Sequence, residues 1–327
     1  MKIWLSLPPK VAHDLAPLGL KLAATFREPK AYEWMPFDWK GIHFPNRLGI
    51  AGGVDKNGSL IEEWWTFGPG FIEIGTVTPK PQEPNSGKII DRDEFRGALW
   101  NKMGFPSAGV YEVRENLRDI SVDRVTPIFA NIGKNRTTEN DRAAEDYAEC
   151  IDALSDLVEA FVVNISSPNT SGLRELFQPK HLSRFLGTVL AARNKSDDPN
   201  TPVLLKLSPD LEENELRTVV ETAGALGING FVATNTTLGR EYGSPFPKEG
   251  GVSGRPLAER SKATLRALIS ELGSSRKNQL IISAGGIMTP DDVKERLDLG
   301  ADLVQVYTSL IYNGPGFFRQ VDRFIKQ

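Results

Sequence analysis

The sequence predicts an α/β chain folded as a (β/α)8 barrel behind a short N-terminal helical extension. Three observations carry this expectation. Eight short, almost continuous apolar runs recur after residue 46, and most precede a stretch of helical periodicity. Such runs mark parallel strands buried on both faces. The 327 residues hold no low-complexity linker that would split this region, and eight βα units in roughly 280 residues suit one barrel domain. Nearly every run ends in an amide, lysine, threonine or glycine, where such a barrel carries its chemistry.

The extension comes first, at residues 1–39, and the barrel is assigned to 40–327. Val11, Leu15, Leu18, Leu22 and Phe26 recur at spacings of three and four, which suits one face of a helix. Pro17 interrupts that face and predicts two short helices or a kink. Trp4, Trp34, Phe37 and Trp39 add apolar surface nearby. The first forty residues carry a net charge of +2 and the remainder −5. A basic, aromatic-rich amphipathic segment either packs on the main body or lies on a membrane surface.

The eight strands are predicted at 47–51, 71–76, 127–132, 161–165, 203–207, 231–234, 280–284 and 303–307. Helices are expected over 145–160, 179–194, 213–226, 257–272 and 290–299. The connection 79–126 runs to 48 residues, too long for an ordinary βα link, so it must carry structure of its own.

Composition narrows the chemistry. A net charge of −3 argues against a nucleic-acid partner held by a general basic field. Cys150 is the single cysteine and reads as a small apolar residue on a helix, so cysteine-based zinc or iron–sulfur sites are excluded. His13, His43 and His181 show no metal-ligand spacing, and no metal is expected. No run of 18 apolar residues predicts a transmembrane helix, and the N-terminus lacks signal-peptide features.

Read in order, the strand ends give Asp55 with Lys56, Thr76, Asn131, Asn164, Lys206, Thr234 with Asn235, Gly285 with Gly286, and Tyr307 with Thr308. One amide at a strand end is an ordinary cap or turn residue. Amides and lysines at nearly all of them predict a single polar pocket. The loops after the last two strands are the usual phosphate site of this fold, and glycine there lets backbone N–H groups approach closely. A phosphorylated cofactor or substrate is implied. Two lysines without a metal cluster suggest flavin mononucleotide (FMN). The loop Asn164-Ile-Ser-Ser-Pro-Asn-Thr170 is the most distinctive stretch. A serine hydroxyl in it is a poor base alone and needs a partner or a water relay.

These residues carry a resemblance that covers nearly the whole chain. Leu48-Gly-Ile-Ala-Gly-Gly-Val-Asp-Lys-Asn-Gly58, Gly70-Phe-Ile-Glu-Ile-Gly-Thr-Val-Thr-Pro-Lys-Pro-Gln82 and Asn101-Lys-Met-Gly-Phe105 are joined by Asn131-Ile-Gly-Lys-Asn135 and the serine loop. Ala233-Thr-Asn-Thr-Thr237, Gly250-Gly-Val-Ser-Gly-Arg-Pro256 and Leu303-Val-Gln-Val-Tyr-Thr308 complete the set. Together they resemble the dihydroorotate dehydrogenases of the quinone-dependent, membrane-associated class.

The resemblance implies oxidation of (S)-dihydroorotate to orotate in pyrimidine synthesis, with FMN as cofactor and a membrane quinone as acceptor. It implies Ser167 as the base that takes the C5 proton, while hydride leaves C6 for flavin N5. A cysteine stands at that position in the soluble class, so Ser167 points to quinone rather than fumarate or NAD. Thr170 and Phe105 match positions that order and shield the base. Lys56, Asn101, Lys102, Met103, Gly104, Phe105, Asn164, Asn169, Asn235 and Thr236 match the substrate site. Gly52, Gly53, Val54, Asp55, Lys56, Thr76, Asn131, Asn164, Lys206, Thr234, Gly254, Gly286, Tyr307 and Thr308 match the cofactor site. Lys206 falls beside flavin N1 and C2=O, where a cation stabilises negative charge on the reduced ring. Arg92 matches an arginine near the quinone tunnel.

The resemblance further implies a peripheral protein on the cytoplasmic face of the cell membrane, docked through the N-terminal segment, as a monomer or weak dimer. The chain departs from the family at Ala51-Gly52-Gly53, at 83–88 and at Pro106-Ser107, where the family commonly has Ala-Ala-Gly, Gly-Asn-Pro-x-Pro-Arg and Asn. The last two departures bear on the quinone side and the substrate lid.

Overall fold

A computed structural model describes residues 2–240 and 244–327. Eight parallel strands close into a barrel: β1 (Leu48–Ile50), β2 (Ile72–Val77), β3 (Ile128–Ile132), β4 (Ala160–Val163), β5 (Val203–Lys206), β6 (Gly230–Ala233), β7 (Leu280–Ala284) and β8 (Leu303–Val306). They follow sequence order around the barrel, with β8 paired to β1 at Val304–Leu48 and β1 to β2 at Ile50–Ile72. All eight predicted runs form these strands, each within two residues of its expected ends.

The strand period of two decides what fills the barrel. Phe71, Phe129, Val162, Leu204, Val232, Ile282 and Leu303 point inward and form a buried apolar plug in its lower half. A two-stranded hairpin, Phe37–Trp39 and Ile42–Phe44, closes that end, with the Phe44 ring edge-on to Phe71 and Phe129 at 6.0 Å. Two residues further along, the inward positions of six of these strands turn polar, with Glu73, Asn131, Asn164, Lys206, Thr234 and Gln305, while β7 offers Ala284. The outward residues, such as Ile72, Phe161, Val203 and Val304, belong to a second apolar layer that the surrounding helices cover.

Those helices include Ala143–Leu154, Pro179–Arg193, Glu213–Leu226, Ala258–Leu272 and Pro290–Asp298. Glu213–Leu226 starts on a capping box of Glu212 and Glu215 and ends at Gly227, whose φ of +90° suits the left-handed cap. The helix expected over 145–160 stops at Leu154, because the chain must turn to enter β4 at Ala160. Leu157 and Val158 prolong the apolar periodicity through the turn by packing on the core. Cys150 is fully buried on that helix, as expected of an apolar residue, and burial pushes its thiol well up.

The long connection does carry structure: strands Ile90–Asp93 and Ala98–Asn101 and a helix, Val110–Arg118. Strand Gly251–Gly254, from the far end of the chain, joins the two strands as an antiparallel sheet over the barrel mouth. The extension forms a 3-10 turn, Ile3–Ser6, and one helix, Pro9–Ala24. Of the two outcomes expected at Pro17, the division into two short helices does not occur. Pro17 simply has no N–H to give the His13 carbonyl one turn back, and the helix continues through it. Its Leu20 and Ala24 are buried against the body, whereas Val11, Leu15, Leu18 and Leu22 remain exposed.

Candidate active site

The polar upper half of the barrel opens into a cavity of about 1040 Å3, counting its mouth. Lys206 at the end of β5 donates to Glu73 Oε1 at 2.8 Å, and Asn131 donates its Nδ2 to the same oxygen at 2.7 Å. Asn131 Oδ1 in turn accepts from Thr76 Oγ1 at 2.6 Å and from Asn164 Nδ2 at 3.1 Å. Asn164 Oδ1 accepts from Ser166 Oγ at 3.0 Å and Asn235 Nδ2 at 3.2 Å. Five strand ends are thus bound into one polar belt. Each amide is held by its neighbour, so the belt is pre-formed rather than assembled by a ligand.

Ser167 stands above the belt on the loop after β4 and is only 4% exposed. Its Oγ accepts from the Asn169 backbone N–H at 3.2 Å. Asn169 Nδ2 donates to Asn101 Oδ1 at 2.9 Å, which joins this loop to the sheet over the mouth. Gln82 Nε2 donates to the carbonyls of Gly104 and Phe105 and fixes a segment that lines the same cavity as the serine. Lys56 lines the cavity, and its Nζ lies 3.2 Å from His13 Nε2 on the N-terminal helix. Burial pushes the Lys56 ammonium down against the pull of Asp55 and Asp14, and burial followed by Lys56 pushes the His13 imidazole down.

Most residues expected at the site line this one cavity. They are Gly52, Gly53, Lys56, Thr76, Asn101, Met103, Gly104, Phe105, Asn131, Asn164, Ser167, Asn169, Lys206, Thr234, Asn235, Thr236, Gly286, Tyr307 and Thr308. Val54, Asp55, Lys102, Gly254 and Arg92 do not. Asp55 accepts from the backbone N–H groups of Ser59 and Leu60 and shapes the loop after β1. Lys102 pairs with Glu249 at 2.9 Å. Gly254 lies behind the lining, where a Cβ would fall 2.1 Å from the Gly97 carbonyl oxygen. Arg92 donates to the Leu5 and Leu7 carbonyls and so clips the extension to the mouth sheet.

Three residues of this region were absent from the strand-end reading. His13 was set aside for lack of spacing to another histidine, and only the docked extension brings it to Lys56. Glu73 and Gln305 sit one period inside their strand ends, hidden in otherwise apolar runs. Their signal was the inward alternation Phe71-x-Glu73 and Leu303-x-Gln305. Glu73 Oε2 and both amide atoms of Gln305 are buried with no hydrogen-bond partner, although buried polar atoms are ordinarily satisfied.

Gly286 adopts a φ of +74°, and a Cβ there would come within 2.2 Å of the Ala258 Cα. Gly286→Ala is therefore expected to lower stability by at least about 1 kcal/mol from the left-handed conformation alone. A lowered thermal midpoint checks this, and an unchanged one refutes the strain.

A family model described as dihydroorotate dehydrogenase matches residues 36–327. The chain is similar to a protein of Christiangramia forsetii named dihydroorotate dehydrogenase (quinone), at 42% identity over 87% of this chain and 82% of the relative. Relatives of the same name from Nautilia profundicola and Thermus thermophilus are 37% and 43% identical. The first covers 96% of this chain and 88% of its own, the second 86% and 79%. Among solved structures, DHODH of Eimeria tenella in complex with ferulenol superposes with a TM-score of 0.85 at 32% identity, covering 96% of this chain and 90% of that one.

Proposed function

The chain belongs to the dihydroorotate dehydrogenase family, and from that premise we propose that it oxidises (S)-dihydroorotate to orotate in pyrimidine synthesis and delivers the electrons to a membrane quinone. The observation that carries this reading is Ser167, buried on the wall of a cavity that also holds Lys56, Lys206 and a belt of carboxamides.

The residues present fit FMN. The Gln305 amide is buried without a partner and lines the cavity. Gly53 leaves the backbone open where a Cβ would press on the Tyr307 ring at 3.2 Å. Gly52, Gly53, Lys56, Thr76, Asn131, Asn164, Lys206 and Thr234 would hold the ring and its chain, with Val54 and Asp55 shaping the loop that carries Lys56. Gly286, Tyr307 and Thr308 would hold the phosphate, with Gly254 packed behind them. When bound, FMN supplies the hydride acceptor for C6 of the substrate.

The chain's own residues do the rest. Lys56, Asn101, Asn164, Asn169, Asn235 and Thr236 offer the cation, donors and acceptors that suit a carboxylate and a cyclic diamide. Lys102, Met103, Gly104 and Phe105 belong to the segment that covers the substrate and excludes water. Ser167 takes the C5 proton. Thr170, three residues on, is proposed to order Ser167, with a water relaying the proton outward. Lys206 presents a cation where negative charge develops on the hydride acceptor.

Residues 1–39 are proposed as the membrane- and quinone-facing segment and 40–327 as the FMN-binding barrel. The exposed Val11, Leu15, Leu18 and Leu22 form the face that docks, and the segment's net positive charge suits an anionic surface. No helix among the described residues is long and apolar enough to cross a membrane. The reading is of a peripheral protein on the cytoplasmic face, monomeric or weakly dimeric.

The test is a visible spectrum of the purified protein, repeated anaerobically after dihydroorotate is added. A flavin spectrum should bleach and return with a soluble quinone, but not with fumarate or NAD. A bound flavin that stays oxidised would overturn the substrate assignment.

A further inference from the structure

We propose that Arg174 and Asp210 form a positioning pair that sets Ser167 against the substrate by clamping three loops of the barrel mouth together. The proposal rests on the dehydrogenase reading above and adds two residues outside the cavity to it.

Arg174 follows Ser167 by seven residues, in the 3-10 turn Leu173–Phe177. Its guanidinium reaches three different loops. Nε donates to the Ser166 carbonyl at 3.0 Å, Nη1 to Asp210 Oδ2 at 2.9 Å, and Nη2 to the Thr236 carbonyl at 3.3 Å. The first bond fixes the peptide unit that leads into Ser167. The third fixes the peptide unit that leaves Thr236, a proposed substrate ligand. Asp210, on the loop after β5, holds the other side. It accepts from Arg174, from the Leu238 backbone N–H at 2.9 Å, from Thr237 Oγ1, and from Arg260 at 3.3 Å. The loops after β4, β5 and β6 therefore share one charged hub.

Neither residue lines the active cavity. Their side chains are 22% and 16% exposed, facing a separate hollow beside the N-termini of the helices that follow. Their effect must pass through the backbone they hold. Behind the cavity wall the loops after β4 and β6 meet once more, where Asn235 Nδ2 donates to Ser166 Oγ at 3.0 Å. Two bonds at different depths fix an orientation that one would leave free to pivot. Only a planar guanidinium meets three acceptors in fixed directions, whereas a lysine is a point charge on a flexible stem. Proton removal by a weak base demands close alignment, and a misplacement of about 1 Å costs about 100-fold in rate.

The experiment uses full-length Arg174→Lys and Asp210→Asn proteins loaded with FMN. Stopped-flow flavin reduction gives the rate at saturating dihydroorotate and its apparent Kd, with orotate binding and thermal unfolding measured alongside. The saturated rate should fall by about 100-fold in Arg174→Lys, as for an ångström of misplacement, with FMN retained and both binding constants near wild type. Deuterium at C5 should slow the variant more than the wild type, because proton removal has become the slow part.

A saturated rate near wild type overturns the clamp. So does a Kd that weakens in step with the rate, or unfolding of both variants, since either assigns the pair to structure alone. A wild-type protein whose flavin ignores dihydroorotate overturns the dehydrogenase reading instead. A wild type that bleaches normally beside an equally fast Arg174→Lys overturns only the clamp.

Discussion

Replacing Ser167 with alanine should slow reduction of the bound flavin by dihydroorotate by about 100- to 10,000-fold, the usual contribution of a positioned base. Flavin retention and orotate binding should survive. None of the hydrogen bonds that join Glu73, Lys206, Asn131, Thr76 and Asn164 passes through Ser167. Loss of its Oγ frees only the Asn169 backbone N–H, at a cost of about 1 kcal/mol. The hydroxyl is nearly buried, so bulk water is poorly placed to replace it as base. Thr170→Val should slow the same step with Ser167 intact, since it removes a buried hydroxyl from the loop proposed to order the base. Stopped-flow absorbance measures both. A Ser167→Ala protein reduced at close to the wild-type rate would sink the base assignment while leaving fold and cofactor standing.

The barrel was legible in the sequence because parallel strands buried on both faces have no polar interruptions except where function requires them. The eight runs at 47–51 through 303–307 and the polar residues at their ends follow from that one constraint. Boundaries failed where packing continued past an element's end, as at Val158, whose burial extends the periodicity of a helix that stops at Leu154. The division into two helices expected as one outcome at Pro17 failed for a different reason. One missing N–H does not end a helix that already buries Leu20 and Ala24 against the body. Glu73 escaped notice because a lone carboxylate in Phe-Ile-Glu-Ile-Gly looks like a strand residue facing solvent. Only closure of the barrel turns it inward onto Lys206. Arg174 and Asp210 carry no local signal, since their meaning lies in three loops that are distant in sequence.

That hidden carboxylate makes Lys206 the second decisive position. Lys206→Met alone should cost about 3–5 kcal/mol of stability, because it leaves a fully buried Glu73 carboxylate with only the Asn131 amide for company. The double variant Lys206→Met, Glu73→Gln should recover most of that loss. A neutral carboxamide can keep the bond to Asn131 without an unpaired charge. The chemistry should not recover with the fold. Both variants lack the cation at the cavity floor, and removing one group that stabilises developing negative charge costs about 100- to 1,000-fold in rate. Thermal unfolding of the apoprotein reads the first effect, and FMN affinity with the rate of flavin reduction reads the second. If the double variant regained stability and flavin reduction together, Lys206 would serve only to neutralise Glu73. If it regains stability alone, the ion pair has two separable duties. Glu73 makes a buried ammonium tolerable, and the ammonium acts on what binds above it.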